Sequence, residues 1–417
     1  MPAAPVTGAG GDLVVRTALR NVGRNRRRSW LTAGGIAFAV LLITFGISLQ
    51  DGSYVAQREN ATGLLTGHLQ VVHPERVDSG RFEHLLNDVS ARVEALRAHP
   101  QIRHASARVE AYALASVGER SFAAQVFGMD LAAEADMIRF FDTLQDGRVP
   151  AEADEVLIGT GLARNLGAEL GDEIVLLGSG KHGGVAAMAV TVSGLFQTGI
   201  ADLDRAVLIA SLAAVQSAYY LEDEAHTIVA LGDEPTQAGR LARELGGVVG
   251  ADALVRSWQD IMPEIEQAIE LDRVSGDFMY GIIMLLVGFS IVNTFIMVVF
   301  ERTREFGMLL ALGLRPWSII RMVQIEAFGL WLLGTLLGLL LAAPLLYYLA
   351  TSGFSLGAEI EEMAEQMYMP SRLYAAATPR ALLTAPLVML VATQLAALLP
   401  SLRLLKMQPV VALRHET

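Results

Sequence analysis

Four apolar segments bracket one long polar stretch in this chain of 417 residues. The apolar segments are residues 30–50, 277–300, 322–350 and 381–401, and the polar stretch, residues 51–275, separates the first from the second. The hydrocarbon core of a bilayer is about 30 Å thick, so a helix needs roughly 20 apolar residues to cross it. The pattern predicts an α-helical membrane protein with four transmembrane helices and a large domain inserted between helices 1 and 2.

Charge is distributed unevenly between the polar stretch and the rest of the chain. Residues 51–275 carry 34 Asp and Glu against 17 Arg and Lys, whereas the remaining residues carry a net charge of +5. With 53% hydrophobic residues and a mean hydropathy of +0.42, the chain is too apolar for an ordinary soluble protein. The inserted domain is therefore acidic, and the short segments that flank the helices are basic.

The basic flanks predict how the chain is oriented in the membrane, because Lys and Arg close to helix ends are retained in the cytoplasm. They place both termini in the cytoplasm, and they place residues 51–275 and the loop 351–380 outside. We expect residues 1–29 to form a cytoplasmic or interfacial helix, residues 301–320 a cytoplasmic helix and residues 402–417 a cytoplasmic tail. The basic residues before the first crossing, between the second and third, and after the fourth are Arg16, Arg20, Arg24, Arg26, Arg27, Arg28; Arg302, Arg304, Arg315; and Arg403, Lys406, Arg414.

The inserted domain mixes helix and strand patterns, which predicts an α+β fold. Strand patterns occur at 68–73, 109–117, 122–127, 155–158, 173–177, 187–196, 206–210 and 227–231. Helical spacing of apolar residues is found at 82–98, 160–166, 212–220 and 235–245. Residues 259–274 predict a helical stalk that continues into the second crossing.

The chain shows no motif for an enzyme active site, so we expect no catalytic, cofactor-binding or metal site. It has no cysteine, no H-E-x-x-H and no G-x-S-x-G. Gly178–Lys181 resembles a phosphate loop, but Val175 and His182 replace the required glycine and hydroxyl residue, so we expect a hairpin turn. The pair His68 and His73, and the acidic pairs Asp202/Asp204 and Glu361/Glu362, are interpreted as solvated side chains.

A charged and then apolar segment follows the second crossing directly. Its charges lie at the start and its apolar residues follow at helical spacing, which is typical of a short amphipathic helix that docks into a groove of a cytoplasmic partner. An ordinary loop with orienting arginines would explain the same charges. The residues assigned to this coupling role are Glu301, Arg302, Arg304, Glu305, Gly307, Leu310 and Gly313.

Three residues within the crossings are candidates for helix packing. Gly334 and Gly338 form a G-x-x-x-G pattern, which permits two helices to approach closely. Asn293, like Gln394, is polar at membrane depth and would be costly in lipid, so we expect it to face another helix. A structural hydrogen bond explains these amides better than a transport site does.

Three loose motifs, in this order relative to four crossings, resemble the FtsX/MacB-like permeases of mechanotransmitting (type VII) ABC transporters. They are residues 18–28 (ALRNVGRNRRR), residues 301–313 (ERTREFGMLLALG) and residues 407–416 (MQPVVALRHE). Within that family, residues 194–199 (GLFQTG) followed by Asp204, together with residues 157–163 (LIGTGLA), resemble lipoprotein-releasing permeases of the LolC/LolE type.

The resemblance implies a permease subunit without an ATPase motif of its own, in a bacterial inner membrane. ATP and Mg would be bound by cytoplasmic ABC ATPase subunits, so no cofactor is expected on this chain. A second permease chain, identical or different, would complete a dimer, and a periplasmic adaptor or lipoprotein carrier is a further partner. No nucleic acid is expected. ATP hydrolysis would drive the periplasmic domain, residues 51–275, to extract or export lipoproteins or similar amphipathic cargo.

Other functions remain open at this point. An FtsX-like chain would regulate an extracytoplasmic enzyme and transport nothing, and a MacB-like chain would export peptides or drugs. A scaffold or receptor without an ATPase would also explain the four crossings. The large insert favours the transporter, because simple regulators of the FtsX type tend to have smaller ones.

Overall fold

The computed structural model describes residues 26–355, 357, 372–402 and 405, which form two compact units. The helical unit contains the described residues up to Tyr54, then Glu270–Ser355, and the described residues from Arg372 onward; the sheet unit contains Val55–Ile269. The predicted helix over residues 1–29 lies mostly outside the described residues. Glu361, Glu362, half of the loop 351–380 and the motif at 407–416 lie outside them entirely.

Long helices account for most of the helical unit, and short helices are inserted between the strands of the sheet unit. In chain order the helices are α1 Arg26–Ala61, α2 Pro74–Ser79, α3 Val89–Arg97, α4 Leu131–Ala135, α5 Thr160–Leu166, α6 Ala201–Ala206, α7 Leu212–Ala218, α8 Ala238–Leu245, α9 Trp258–Ile261, α10 Pro263–Glu301, α11 Thr303–Ala311, α12 Pro316–Ser352 and α13 Pro379–Ser401.

Within the described residues, four helices are long and apolar enough to cross a membrane. They span Ser29–Thr66, which adds a π-helical turn to α1, and α10, α12 and α13. Three of them contain 37 to 39 residues, well beyond the predicted crossings. Ile43 of α1, Phe295 of α10, Val323 of α12 and Met389 of α13 are among the side chains that form their common buried core.

The sheet unit is built on ten strands joined in one sheet. Its main path runs β10-β1-β9-β2-β3-β8-β5-β7-β4, and β6 pairs with both β2 and β7. The strands are β1 Leu69–Val72, β2 Ile102–Val117, β3 Arg120–Met129, β4 Leu144–Gly147, β5 Glu155–Gly159, β6 Glu173–Ser179, β7 Val185–Phe196, β8 Val207–Ser211, β9 Thr227–Gly232 and β10 Leu254–Ser257; a separate short pair joins β11 Phe354–Ser355 to β12 Arg372–Leu373.

Burial along the strands explains their sequence patterns. β6 alternates between exposed and buried residues over 173–176, as expected for a strand with one face in solvent, whereas β8 is buried at 207–210. β8 pairs in parallel with β3 and antiparallel with β5, so it lies inside the sheet. Phe140, Phe196 and Ile209 belong to a core cluster of this unit.

The fold class predicted from the sequence is confirmed: four long apolar helices, with a large domain of strands and helices between the first and the second. The helix predicted over 82–98 is shorter, because α3 begins only at Val89. Asp88 has a left-handed backbone (φ 51°), and Leu86 donates its backbone N–H to Ala225 O at 2.8 Å instead of continuing a helix.

Candidate functional site: the bend between α10 and α12

A bend at Arg302 joins two helices of the helical unit. α10 ends at Glu301 and α11 begins at Thr303, and Arg302 between them has φ −98° and ψ 11°. Its backbone remains bonded on both sides: Arg302 N donates to Val298 O at 3.1 Å, and Phe306 N donates to Arg302 O at 2.9 Å. The backbone therefore leaves helical geometry at Arg302 but keeps its hydrogen bonds on both sides. Loss of these bonds would have made the bend flexible.

The Arg302 side chain joins α11 to the next long helix through two carboxylates. Its Nη1 lies 2.8 Å from Glu326 Oε2 and 3.0 Å from Glu326 Oε1, and its Nε lies 3.0 Å from Glu305 Oε2. The guanidinium also lies over the buried Phe306 ring, 5.0 Å from its centroid. Burial alone would lower the pKa of Arg302, but the charges and hydrogen bonds of Glu326 and Glu305 outweigh it and raise the pKa. The cluster is a network of charge-assisted hydrogen bonds at the bend.

Glu326 was interpreted from the sequence only as the edge of the third crossing. In the structure its side chain is 10% exposed, inside α12, and it is the main partner of Arg302. The crossing predicted at 322–350 therefore contains a buried carboxylate. Glu326 could have been singled out from the sequence, because it is a carboxylate in an otherwise apolar run, one turn inside the predicted edge of the crossing.

α11 is amphipathic, and its exposed face is apolar as well as basic. Phe306 and Gly307 are buried, whereas Arg304 and Met308 are exposed. Beyond the helix the exposed apolar surface continues through Leu312, which is 79% exposed, and the side chains of Leu314 and Trp317. We call Arg304, Met308, Leu312, Leu314 and Trp317 the bend surface.

Gly313 ends α11 and so positions the bend surface. Its φ is 90°, a conformation that glycine adopts without strain. Leu314 N donates to Leu309 O at 3.1 Å and Gly313 N donates to Leu310 O at 3.0 Å, which is the Schellman pattern of helix termination. Pro316 then opens α12 at its first turn.

The seven residues predicted for coupling lie close together in the chain, but they differ in exposure and in the contacts they make. Glu301 and Arg304 are exposed, Arg302 and Glu305 form the ion cluster, Gly307 is buried, Leu310 is half-buried and Gly313 forms the turn. The predicted helix at 301–320 is a nine-residue helix followed by a turn, and residues 316–320 already belong to α12.

The glycine pair predicted for packing lies against α1. A Cβ added at Gly334 would lie 2.7 Å from Ala33 O, and one added at Gly338 would lie 2.7 Å from Ala37 O. α12 and α1 therefore approach so closely at these two glycines that no side chain fits between them. Asn293 of α10 is exposed. That its amide packs against another helix stays a prediction, and that helix would belong to a partner chain.

A second ion cluster, which the sequence did not predict, joins three helices at the other end of the bundle. Arg380 of α13 lies 2.6 Å from Asp51 Oδ1 of α1 and 2.5 Å from Asp277 Oδ1 of α10. Thr378 Oγ1 donates to Asp51 Oδ2 at 2.5 Å. All three charged residues lie at the ends of predicted crossings.

Buried polar groups in the sheet unit correct two interpretations. Asp204 is not a solvated charge: it is 8% exposed, and its carboxylate accepts from Thr198 N at 2.7 Å and Thr198 Oγ1 at 2.8 Å. His68 is half-buried, accepts at Nδ1 from Gly232 N at 3.1 Å, and its pKa is lowered by burial. The hairpin predicted at 178–182 is confirmed, since it joins β6 to β7.

A buried ion pair fixes the π-helical turn Thr62–Thr66 of the sheet unit. Arg108 Nε lies 2.7 Å from Glu134 Oε1, and Arg108 Nη2 lies 2.5 Å from Glu134 Oε2. Arg108 also donates through Nη1 to the carbonyl of Leu65. The turn that ends the first long helix is therefore anchored by a residue of β2.

Two family models match the chain. The MacB-like periplasmic core domain matches residues 29–248, more than half of the chain, and the FtsX-like permease C-terminal model matches residues 278–409. The FtsX-like match includes the bend at Arg302, the ion cluster formed by Arg302, Glu305 and Glu326, and the bend surface.

Named relatives cover nearly the whole chain at low identity. The chain is 25% identical to the lipoprotein-releasing system transmembrane protein LolC of Neisseria meningitidis, over 95% of this chain and 97% of that protein. It is also 25% identical to LolE of Haemophilus influenzae, over 91% of this chain and 92% of that one. The periplasmic region of MacB from Actinobacillus actinomycetemcomitans aligns at 15% identity with a TM-score of 0.36, over 50% of this chain and 95% of that structure. By the extent of the family match, the chain belongs to the MacB-like periplasmic core domain family and carries an FtsX-like permease C-terminal region.

Proposed function

We propose that this chain is the permease subunit of an ABC transporter of the lipoprotein-releasing type, driven by a separate ATPase subunit. Support comes from the LolC and LolE relatives, which align over nearly the full length. A relative named as a macrolide export ATP-binding/permease protein, 24% identical over 79% of this chain, supports the same general kind of machine. ATP and Mg²⁺ would be bound by the ATPase subunit.

The observation that carries the coupling proposal is the bend surface beside the Arg302 ion cluster. Met308, Leu312 and Trp317 expose apolar side chains beyond the end of a long apolar helix, where a soluble partner could cover them. Arg304 adds positive charge to the same surface. An acidic or amphipathic groove on the ATPase would bury the apolar residues and pair with the arginine.

The ion cluster would pass motion from the docked surface to the long helices. Arg302 connects α11 to α12 through Glu326, so displacement of α11 would move α12 with it. α10 runs for 39 residues without a break, about 58 Å at 1.5 Å per residue, and is long enough to carry motion beyond the bilayer. Substrate would be moved by this displacement on the outer side rather than through a polar channel.

A second permease chain is the partner proposed for the exposed side of α10. Leu286, Phe289, Asn293 and Met297 are exposed and follow one another at helical spacing. An amide such as that of Asn293 is costly to leave in lipid, so a helix that offers it a hydrogen bond would stabilise the assembly. Photo-crosslinking from position 293 should capture a permease chain, whereas crosslinking from exposed Leu336 of α12 should not; capture from Leu336 alone would place the interface elsewhere.

The orientation follows from the basic flanks and is part of the proposal. Both termini and the bend surface would face the cytoplasm of a bacterial cell, and the sheet unit would face the periplasm. The cargo proposed is a lipoprotein, by analogy with the named function of the relatives. A periplasmic carrier would receive it.

The test uses the full chain in nanodiscs with its ATPase subunit. Leu312→Asp should reduce ATPase stimulation and release of a labelled lipoprotein at least ten-fold, because a carboxylate would enter the buried contact. Leu170→Asp, at an exposed leucine of the sheet unit, is the matched control and should leave both unchanged. Arg304→Glu should weaken binding of the ATPase without disturbing the packed Arg302.

Full stimulation in Leu312→Asp would overturn the docking role of the bend surface. Stimulation of the ATPase without release of any lipoprotein, together with activation of an extracytoplasmic enzyme, would favour an FtsX-like regulator. Release of peptides or drugs in place of lipoprotein would favour MacB-like efflux.

A further inference from the structure

Two histidines and one glutamate meet around α2 of the sheet unit. His73 precedes α2, Glu75 lies in its first turn and His84 follows it. One ligand atom from each of the three residues lies within 4.8 Å of those of the other two. The two imidazole rings are half-buried, with centroids 5.4 Å apart.

Ser79 determines which nitrogen of His84 carries a proton. The Ser79 hydroxyl donates to Glu75 O at 2.7 Å, so it can only accept from His84 Nδ1, which lies 2.8 Å away. His84 Nδ1 is then protonated, and in a neutral ring Nε2 presents a lone pair. A ligating histidine usually has its other N–H fixed in this way.

The lone pair of His84 Nε2 faces a second acceptor. Glu75 Oε2 lies 3.3 Å from His84 Nε2, and a neutral imidazole and a carboxylate would repel each other at that distance. A cation between them, either a proton or a metal ion, removes the repulsion. Tetrahedral zinc with bonds of about 2.0–2.1 Å holds two of its ligand atoms about 3.3 Å apart, so the observed separation suits zinc without rearrangement.

His73 can supply the third ligand. One of its ring nitrogens lies within 4.8 Å of the ligand atoms of Glu75 and His84. Its Nδ1 accepts a long 3.3 Å contact from the backbone N–H of Glu75, which a metal could replace at small cost. Two imidazole nitrogens and one carboxylate are a common protein ligand set for zinc, with water in the fourth position.

We propose that His73, Glu75 and His84 form a site for Zn²⁺, with Ser79 as the residue that positions His84. The ion would tie the start of α2 to the segment after it, close to the bridge between Leu86 and Ala225. This site is independent of the proposed transport function, since none of its residues belongs to the bend or to the helical unit.

The test measures zinc bound to the full chain in detergent, after chelator treatment, by competition with a chromogenic zinc indicator. One Zn²⁺ per chain is expected. Glu75→Gln and His84→Gln should each lower the affinity at least ten-fold, and Ser79→Ala should lower it by a smaller factor. His104→Gln, a half-buried histidine on β2 outside the cluster, is the matched control and should bind as the parent chain does.

Co²⁺ provides a second readout that does not depend on stability. The parent chain should give the intense visible absorption of four-coordinate cobalt, and His84→Gln should lose it. Absence of stoichiometric zinc binding to the parent chain would overturn the proposal in favour of a simple imidazolium–carboxylate pair. Binding that survives His84→Gln unchanged would overturn it as well.

Discussion

Two arginine–glutamate pairs, one in each unit, use the same chemistry in different surroundings. The Arg108–Glu134 pair in the sheet unit is 3% and 0% exposed, whereas the Arg302–Glu326 pair in the helical unit is 20% and 10% exposed. Arg108 also anchors a backbone carbonyl of the π-helical turn, and Arg302 is shared with a second carboxylate, Glu305. The first pair is isolated from water and fixed, while the second lies at the edge of an exposed apolar surface and has a substitute partner.

The two pairs are expected to respond differently to the loss of one partner. Removing one partner of a fully buried pair leaves an uncompensated charge, which is strongly destabilising. Removing one partner of a pair that retains another carboxylate and some water costs less. Loss of a carboxylate should therefore cost less stability at Arg302 than at Arg108.

The largest effect is expected at the buried pair of the sheet unit. Glu134→Gln should lower the free energy of unfolding by about 3–5 kcal/mol, because Arg108 keeps its charge in a dry site. Denaturant unfolding of the full chain, followed by hydrogen exchange in β2, measures it. Glu244→Gln, which breaks an exposed pair with Arg240, is the control and should cost under about 1 kcal/mol. An equal loss in both variants would contradict the comparison.

A smaller effect is expected at the pair beside the bend. Glu326→Gln should cost about 1–2 kcal/mol, because Arg302 keeps Glu305 and is partly solvated. The proposed coupling predicts a greater loss of ATPase stimulation than this stability loss explains. The matched control is Glu270→Gln, which removes an exposed partner of Arg273 at 3.8 Å. If Glu326→Gln destabilises the chain as much as Glu134→Gln does, the distinction between the two pairs fails.

Lowering the pH should reduce the stability of the fold gradually through protonation of His226. His226 is fully buried, accepts at Nδ1 from Glu110 N at 3.0 Å, and has Nε2 3.0 Å from Phe82 O. Burial, with the nearby Arg76 charge, lowers the pKa of His226 from 6.5 to about 3. The neutral ring thus stabilises the fold fully above pH 6.5, and this contribution falls by about 1.4 kcal/mol per pH unit as the pH drops towards 3.

The measurement compares stability against pH in the parent chain and in His226→Gln. The variant is expected to be less stable at neutral pH but to lose less on acidification between pH 6.5 and 3. Parallel curves over that range would show that His226 is not the group that titrates. A steeper loss in the variant would contradict the depressed pKa.

Local patterns in the sequence were enough for the elements that depend on near neighbours. Helix α5, Thr160–Leu166, was predicted with its observed bounds, because a left-handed glycine at 167 ends it. The strand pattern at 109–117 was recognised, but β2 begins at Ile102, since residues 105–109 are all buried and do not alternate. β10, at the edge of the sheet, and β4 were missed, because polar residues make up half or more of each short strand and leave little hydrophobic pattern.

The contacts that form the candidate sites depend on residues far apart in the chain. Glu326 lies 24 residues from Arg302, and Arg380 lies 329 residues from Asp51. No spacing rule connects such residues, so the sequence identified Arg302 but assigned it no partner. The same limit applies to His84, which was not singled out although His73 was.

Hydropathy and charge vary residue by residue, so sequence patterns were enough to predict four apolar crossings, the acidic domain between the first two and a short amphipathic helix after the second. The three-dimensional structure was needed to show that Glu326 holds Arg302 and that α1 fills the space at Gly334 and Gly338, because these contacts join segments far apart in the chain. His73, Glu75 and His84 lie close together in the chain, but they meet only because the chain turns around α2, and local periodicity does not encode that turn.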